Sequence, residues 1–177
     1  RAALTPEMKL TVKAVKKAVR FLKKQNAKKI NGYYYGIVHP DCSYDLTEDA
    51  RWIDAVKYKN PERIYNGEIG EIEGARFVET TEAKIWAKAG AAKSTSDTTK
   101  IDVYGTLIFG ANAYATTKIE GGGLKTIIKQ LGSAGTGDPL DQRATVGWKA
   151  LKVTEILTEA YMIRIETAST FSDGEAN

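Results

Sequence analysis

The sequence is poor in the residues that carry most recognisable chemistry. It has one cysteine, Cys42, and one histidine, His39, among 177 residues. A single thiol excludes an intramolecular disulfide and a cysteine-rich zinc site. A single imidazole excludes a metal helix of the HExxH kind and leaves no Ser-His or Cys-His pair in a credible sequence context. No run approaches the ~18 consecutive apolar residues of a membrane-spanning helix. The first apolar-periodic segment is studded with lysines, unlike the apolar centre of a signal peptide. No internal repeat is visible. The chain opens on Arg1 without a methionine, so upstream residues are expected in the parent gene product.

Acid is scarce at one end. Residues 1–31 hold ten basic side chains against one acid, Glu7, a net of +9. The remaining 16 basic and 21 acidic residues leave the rest at −5. This asymmetry predicts that the basic end meets a polyanion or an acidic partner surface. With 42% hydrophobic and 27% charged residues, the chain suits one globular domain or two small lobes.

Periodicity predicts a helix over residues 6–30. Thr5 would cap it, Pro6 would take the first helical position, and Asn31-Gly32 would stop it. Met8, Val12, Val15, Val19 and Leu22 recur at spacings of four and three, and Leu10, Ala14, Ala18 and Phe21 widen the apolar half. Lys9, Lys13, Lys16, Lys17, Arg20, Lys23 and Lys24 fall on the opposite half. Residues 33–38 read as a buried strand closed by His39-Pro40. Asp45 would cap a second helix over 47–58, with Ala50, Ile53 and Val56 on its apolar side, Trp52 beside them, and Asn60-Pro61 as its breaker. Alternation from Glu68 to Thr80, interrupted at Gly74-Ala75, predicts a hairpin or a pair of short strands. Residues 88–100 have no hydrophobic side chain larger than alanine and read as a mobile surface loop. Strands are expected at 101–109, 125–131 and 161–168, a short helical piece from Ala111, a turn at 132–138 and a frayed tail from Ser169. The fold class is α+β: a long helix on mixed and antiparallel strands, with a loop-rich second lobe.

Several clusters imitate sites. His39, Asp41, Cys42, Asp45, Glu48 and Asp49 are metal-ligand types without metal-ligand spacing, and read better as a turn and an acid-capped helix. Cys42 reads as a small buried residue. Glu71 and Glu73 would share one strand face, too close to flank a sugar bond, although the acid-rich hairpin could meet basic residues of a neighbouring subunit. GSAGTG at 132–137 fits neither GxGxxG nor GxxxxGK[ST], and Gly121-Gly122-Gly123 reads as a hinge or turn. No catalytic residue, cofactor or metal is nominated.

Five segments occur in order: HPDCSYDL (39–46), GEIGEIEGARFVET (67–80), VYGTLIFGANAY (103–114), DPLDQRATVGWKA (138–150) and ILTEAYMIRIETA (156–168). Together they resemble the major capsid proteins of tailed phages of the coliphage N-four type, which have the Hong Kong 97-like fold. The resemblance implies a coat protein and not an enzyme, self-assembling as hexamers and pentamers into the icosahedral head shell of a double-stranded DNA phage or prophage. It implies residues 1–32 as the peripheral-domain spine helix, 33–140 as the axial domain, and 141–177 as return strands of the peripheral domain and tail. Family members carry an N-terminal arm and an extended loop before the spine helix, and the given sequence lacks both. The implied partners are further copies, packaged DNA on the inner face, and scaffolding or decoration proteins, with no membrane. The implied location is the virion capsid, assembled in the host cytoplasm. The basic face Lys9, Lys13, Lys16, Lys17, Arg20, Lys23, Lys24 would meet DNA or a neighbouring subunit. Two rival readings are a same-fold compartment shell enclosing cargo proteins and a small basic nucleic-acid-binding module. The module would explain the first helix and leave the strands unexplained.

Overall fold

The computed structural model describes residues 1–59, 69–94, 96–117, 122–133, 135–172, 174 and 175. The chain divides into two compact units, Arg1–Ala113 with Thr158–Asn177, and Tyr114–Leu157.

The first unit begins with an extended segment and then helix α1, Val12–Lys24. The helix is shorter than the periodicity predicts, for a reason at each end. Leu10 is fully buried and Lys9 forms a parallel bridge with Ala168, whose N–H donates to Met8 O at 2.9 Å. Strand-like pairing therefore claims residues 8–10, and Thr11 becomes the cap, its hydroxyl accepting from Ala14 N–H. At the other end Asn26 takes a positive φ of 56°, with Asn26 N–H bonded to Lys23 O and Ala27 N–H to Leu22 O. This is a Schellman stop at Asn26. Asn31-Gly32, expected as the stop, instead forms a two-residue turn with φ of 50° and 87° between Ile30 and Tyr33. Both central residues need the left-handed region in such a turn, which is why Asn-Gly sits there.

Strand β1, Tyr34–Val38, follows as expected. The single helix expected after it is two. Helix α2, Pro40–Thr47, uses His39 as its cap and Pro40 at its first position, and α3 spans Ala50–Lys59. Asp45 lies inside α2 and caps nothing. Asp49 is the cap: its Oδ1 accepts from Arg51 N–H and its Oδ2 from Val12 N–H, both at 3.0 Å. One carboxylate thus begins both α3 and α1. The Asn60-Pro61 breaker, Glu68 and Gly121 lie outside the described residues.

The acidic hairpin is present as β2, Glu71–Ile72, and β3, Ala75–Glu79, turning through Glu73-Gly74 at positive φ. Strands β4, Ile85–Trp86, and β5, Val103–Phe109, follow, and β10, Met162–Thr167, closes the unit. The sheet order is β10-β5-β1-β3-β2, with β4 also on β5. Among the described strands only β1 and β3 pair in parallel, the pairing that a helical crossover through α2 and α3 permits. Gly36 lies opposite Phe77, and a Cβ on it would meet the ring at 2.6 Å. The core between α1, α2 and the sheet includes Val15, Leu22, Val38, Leu46 and Ile108, each worth ~1.5–3 kcal/mol on burial.

The tail is not frayed through its described residues. Buried Asp45 accepts from Ser169 Oγ and Thr170 N–H, each at 2.9 Å, and from the Thr170 hydroxyl. Buried Asp102 accepts from Ser172 Oγ and Gly174 N–H at 2.8 Å and from Lys88 N–H at 2.7 Å. Polarity at 169–172 and Gly174 therefore marks a strap tied to two buried carboxylates. The loop expected over 88–100 is surface only in part: Gly90 is buried and Lys88 N–H is tied to Asp102, whereas the described residues from 92 to 100 are exposed, with Ala92 bridged to Lys100.

The second unit is a ribbon. No helix forms at Ala111, where a turn leads into β6, Tyr114–Thr116. Strands β7, Lys125–Lys129, β8, Thr145–Lys149, and β9, Thr154–Ile156, complete it, with β6 on β9 and β7 on β8. Further bonds run from Thr117 N–H to Val153 O beside the first pair and from Leu151 N–H to Gly122 O beside the second.

Candidate interaction surfaces

The side chains of the His39–Asp49 cluster bond within the fold. His39 Nδ1 accepts from Asp41 N–H, and Asp41 accepts a 2.7 Å bond from the Tyr104 hydroxyl. Cys42 is 0% exposed, and burial pushes its thiol up to about 12, against a smaller opposing effect of the Thr167 hydroxyl. Such a thiol is no nucleophile near neutral pH. Among the described residues no three His, Cys, Asp or Glu side chains are placed to hold a metal ion. Glu73 ends 3.2 Å from Lys16 of its own chain. The described glycines of the 132–137 stretch form an exposed turn.

The basic face is real as a surface and narrower than the sequence implies. Lys13, Lys16, Lys17, Arg20, Lys23 and Lys24 are exposed along α1, opposite buried Val12, Val15, Val19 and Leu22. At ~100° per residue these six fall within about one third of the circumference. Lys16 is drawn to Glu73. Lys9 stands ahead of the helix, its ammonium 2.7 Å from the Thr170 hydroxyl and 3.8 Å from Asp45. Its residue type gave no warning, because the helix start was misplaced.

Two further surfaces escaped the sequence reading. The first is a groove of about 800 Å³ where Ala14, Ala18 and Phe21 of α1 face Met162, Ile163 and Ile165 of β10. Strand β10 ends the sheet order. The bond from Gly110 N–H to Tyr161 O sets the ladder so that Arg164 and Glu166 turn their backbone groups away from β5. The second is the ribbon. Cross-strand partners share a face, so Thr126–Trp148 and Ile128–Val146 make an apolar side, while Lys125–Lys149 and Lys129–Thr145 make a basic side. A strand near Lys125–Lys129 was legible. Its pairing with Val146-Gly147-Trp148, fifteen or more residues on, was not.

A family model described as phage capsid protein matches residues 1–131. The chain belongs to the phage capsid protein family. No curated protein matches this capsid-family chain in sequence. Solved capsids resemble it in fold at low identity. The capsid of Ralstonia phage GP4 has 14% identity and a TM-score of 0.66 over 96% of this chain and 50% of that one. The capsid of cyanophage P-SCSP1u has 17% identity and a TM-score of 0.62 over 90% and 46%. The acid-stable capsid of Helicobacter pylori bacteriophage KHP30 has 12% identity and a TM-score of 0.61 over 94% and 61%. The chain therefore spans about half to three fifths of the length of the capsid chains it matches. No helix among the described residues is long and apolar enough to cross a membrane.

Proposed function

We propose that this chain is the larger part of a shell-forming region of a major capsid protein, which assembles as hexamers and pentamers into the icosahedral head of a tailed double-stranded DNA phage or prophage. The observation that carries the reading is the family match over residues 1–131, seconded by capsid-like folds over 90% or more of the chain. The mechanism is geometric: heterologous contacts repeat until they close. No residue is assigned to catalysis.

The finer assignment is part of the proposal: the Hong Kong 97-like fold of the coliphage N-four type, with an arm and extended loop belonging to the parent protein upstream of α1. Residues 1–32 are then the peripheral-domain helix, 33–140 the axial domain, and 141–177 the return strands and tail. Packing of α1 on β10 supports placing the first helix with the return. The virion is the site of action, host cytoplasm the site of assembly, and scaffolding or decoration proteins are accessory partners.

The exposed lysines of α1 suit packaged DNA, through counterion release without sequence readout. Particles made from the complete parent gene, sedimented and treated with nuclease, test the reading. Shell-sized particles protecting double-stranded DNA in an infected or induced host support it. Particles filled with protein cargo would favour the compartment reading, and a chain that stays monomeric with scaffold supplied would overturn both.

A further inference from the structure

The groove between α1 and β10 joins an apolar floor, a sheet edge and a cationic rim. On the floor, Ala14 and Ala18 are small, Phe21 is 43% exposed, and Ile163 and Ile165 are half-buried. The edge is β10, where Arg164 and Glu166 turn their backbone groups outward with no strand beside them among the described residues. Such a row of N–H and C=O groups is a template for another strand. The same edge already takes one further along: Lys9 bridges Ala168 in parallel, and Ala168 N–H donates to Met8 O at 2.9 Å. The chain's own residues 8–10 fill that end and leave the Arg164–Glu166 part uncovered.

The rim is Lys17, which lines the groove, with Lys24, Lys13 and Arg20 about 80–120° around the helix from Ala14, away from the buried stripe. Among the described residues none of these four has an acidic partner. Two acids line the groove, Glu159 and Glu166. Arg1 already holds Glu166 through hydrogen bonds of 2.9 and 3.1 Å, and Arg164 shares it at 2.9 Å. The surroundings are therefore cationic, and they favour an acidic occupant. A sheet edge recognises the main chain of an extended peptide, which a nucleic acid lacks. A second β10 does not fit, because it would need the end of the edge that residues 8–10 occupy.

We propose that this groove binds an extended acidic segment of an accessory protein as an added strand. Its main chain pairs with Arg164 and Glu166, and alternate apolar side chains pack on Ala14, Ala18 and Phe21. Its acidic side chains meet Arg164 above and Lys17 below. Main-chain bonds supply affinity in this mode, and the alternate side chains supply specificity. The site goes beyond the shell-forming reading by naming a peptide ligand, and binding to it can be measured without shells.

Fluorescence anisotropy on the unassembled full-length subunit tests this, with a labelled peptide of about eight residues alternating glutamate and valine. Binding is expected, and it should weaken as salt rises. N-methylating one of the peptide's two alternate sets of amides is expected to weaken binding at least ~10-fold, the worth of about one hydrogen bond. A lysine–valine peptide is expected to bind at least ~10-fold more weakly than the glutamate one. Arg164→Pro removes an outward N–H and no bond to β5, and Phe21→Asp puts an acid on the floor. Each is expected to weaken the glutamate peptide at least ~10-fold with the circular dichroism unchanged. Binding that neither N-methylated set weakens overturns the added strand. Equal binding of the lysine peptide overturns the acidic occupant. No binding of the glutamate peptide at ~1 mM overturns the site and leaves the capsid reading standing.

Discussion

Replacing Asp49 should injure two helices at once. Its Oδ1 accepts the Arg51 N–H that opens α3, and its Oδ2 accepts the Val12 N–H that opens α1, 37 positions away in sequence. Losing one helix cap costs ~0.5–2 kcal/mol, typically about 1. The carboxylate also sits at the positive ends of two helix dipoles, each worth ~0.3–1 kcal/mol near the surface. Asp49→Ala should therefore destabilise by about 2–3 kcal/mol, read as a lower urea midpoint at unchanged slope. Asp49→Ser keeps a short acceptor for Arg51 and cannot reach Val12, so it should lose about half as much. Thr11→Ala, which removes the other cap of α1, should couple alike with Asp49→Ser and Asp49→Ala, because both lose the Val12 bond at that helix end. An Asp49→Ala protein within ~0.5 kcal/mol of the parent would refute the shared cap, since that is the range of an unremarkable surface change. Equal losses for Ser and Ala would refute the division between the two helices.

Three further outcomes follow from buried groups. Asp45→Ala should free the strap at Ser169-Thr170, leaving the Thr170 N–H without its acceptor while Asp102 still holds Ser172 and Gly174, and lower stability by about 1–3 kcal/mol with early proteolysis near Ser169; intact protection at Ser169-Thr170 would contradict this. For Asp102, burial raises the carboxyl pKa, but the Lys88, Gly174 and Ser172 hydrogen bonds outweigh it and the net value is lowered. A depressed folded pKa gives stability that is present above the unfolded value of ~3.9 and is lost as pH falls through the folded one. Urea midpoints should accordingly show Asp102→Asn least stable relative to the parent near neutrality, with the gap closing below about pH 4. A gap independent of pH would contradict it. Cys42, with its thiol pushed up to about 12 by burial, should resist disulfide reagents at about pH 8 until urea unfolds the first unit; prompt labelling of the folded protein would show the site open.

Strands were the more legible part of this fold. The buried runs around β1 and β5, the hairpin at Glu73-Gly74 and the closing β10 carried local patterns strong enough to find. Helix ends were less legible, because residues 8–10 obey a helical pattern yet are claimed by pairing with Ala168, a partner 160 residues away. Asn-Gly at 31–32 was read as a stop when it is a turn, although two adjacent residues tolerant of positive φ suit a two-residue hairpin better. Asp45, Asp49 and Asp102 look alike in sequence, and only long-range packing separates a strap anchor from a double cap. The basic face could be seen in the sequence because it is periodic on one element. The apolar side of the ribbon could not, because Ile128 and Val146 become neighbours only through register.

The most direct test of the capsid reading is electron microscopy of the product of the complete parent gene, expressed with any scaffold encoded beside it. Closed icosahedral shells of a single size class, with subunit density that accepts the β10-β5-β1-β3-β2 sheet, are the expected result. Discrete monomers across protein and salt concentration, with scaffold present, would contradict it.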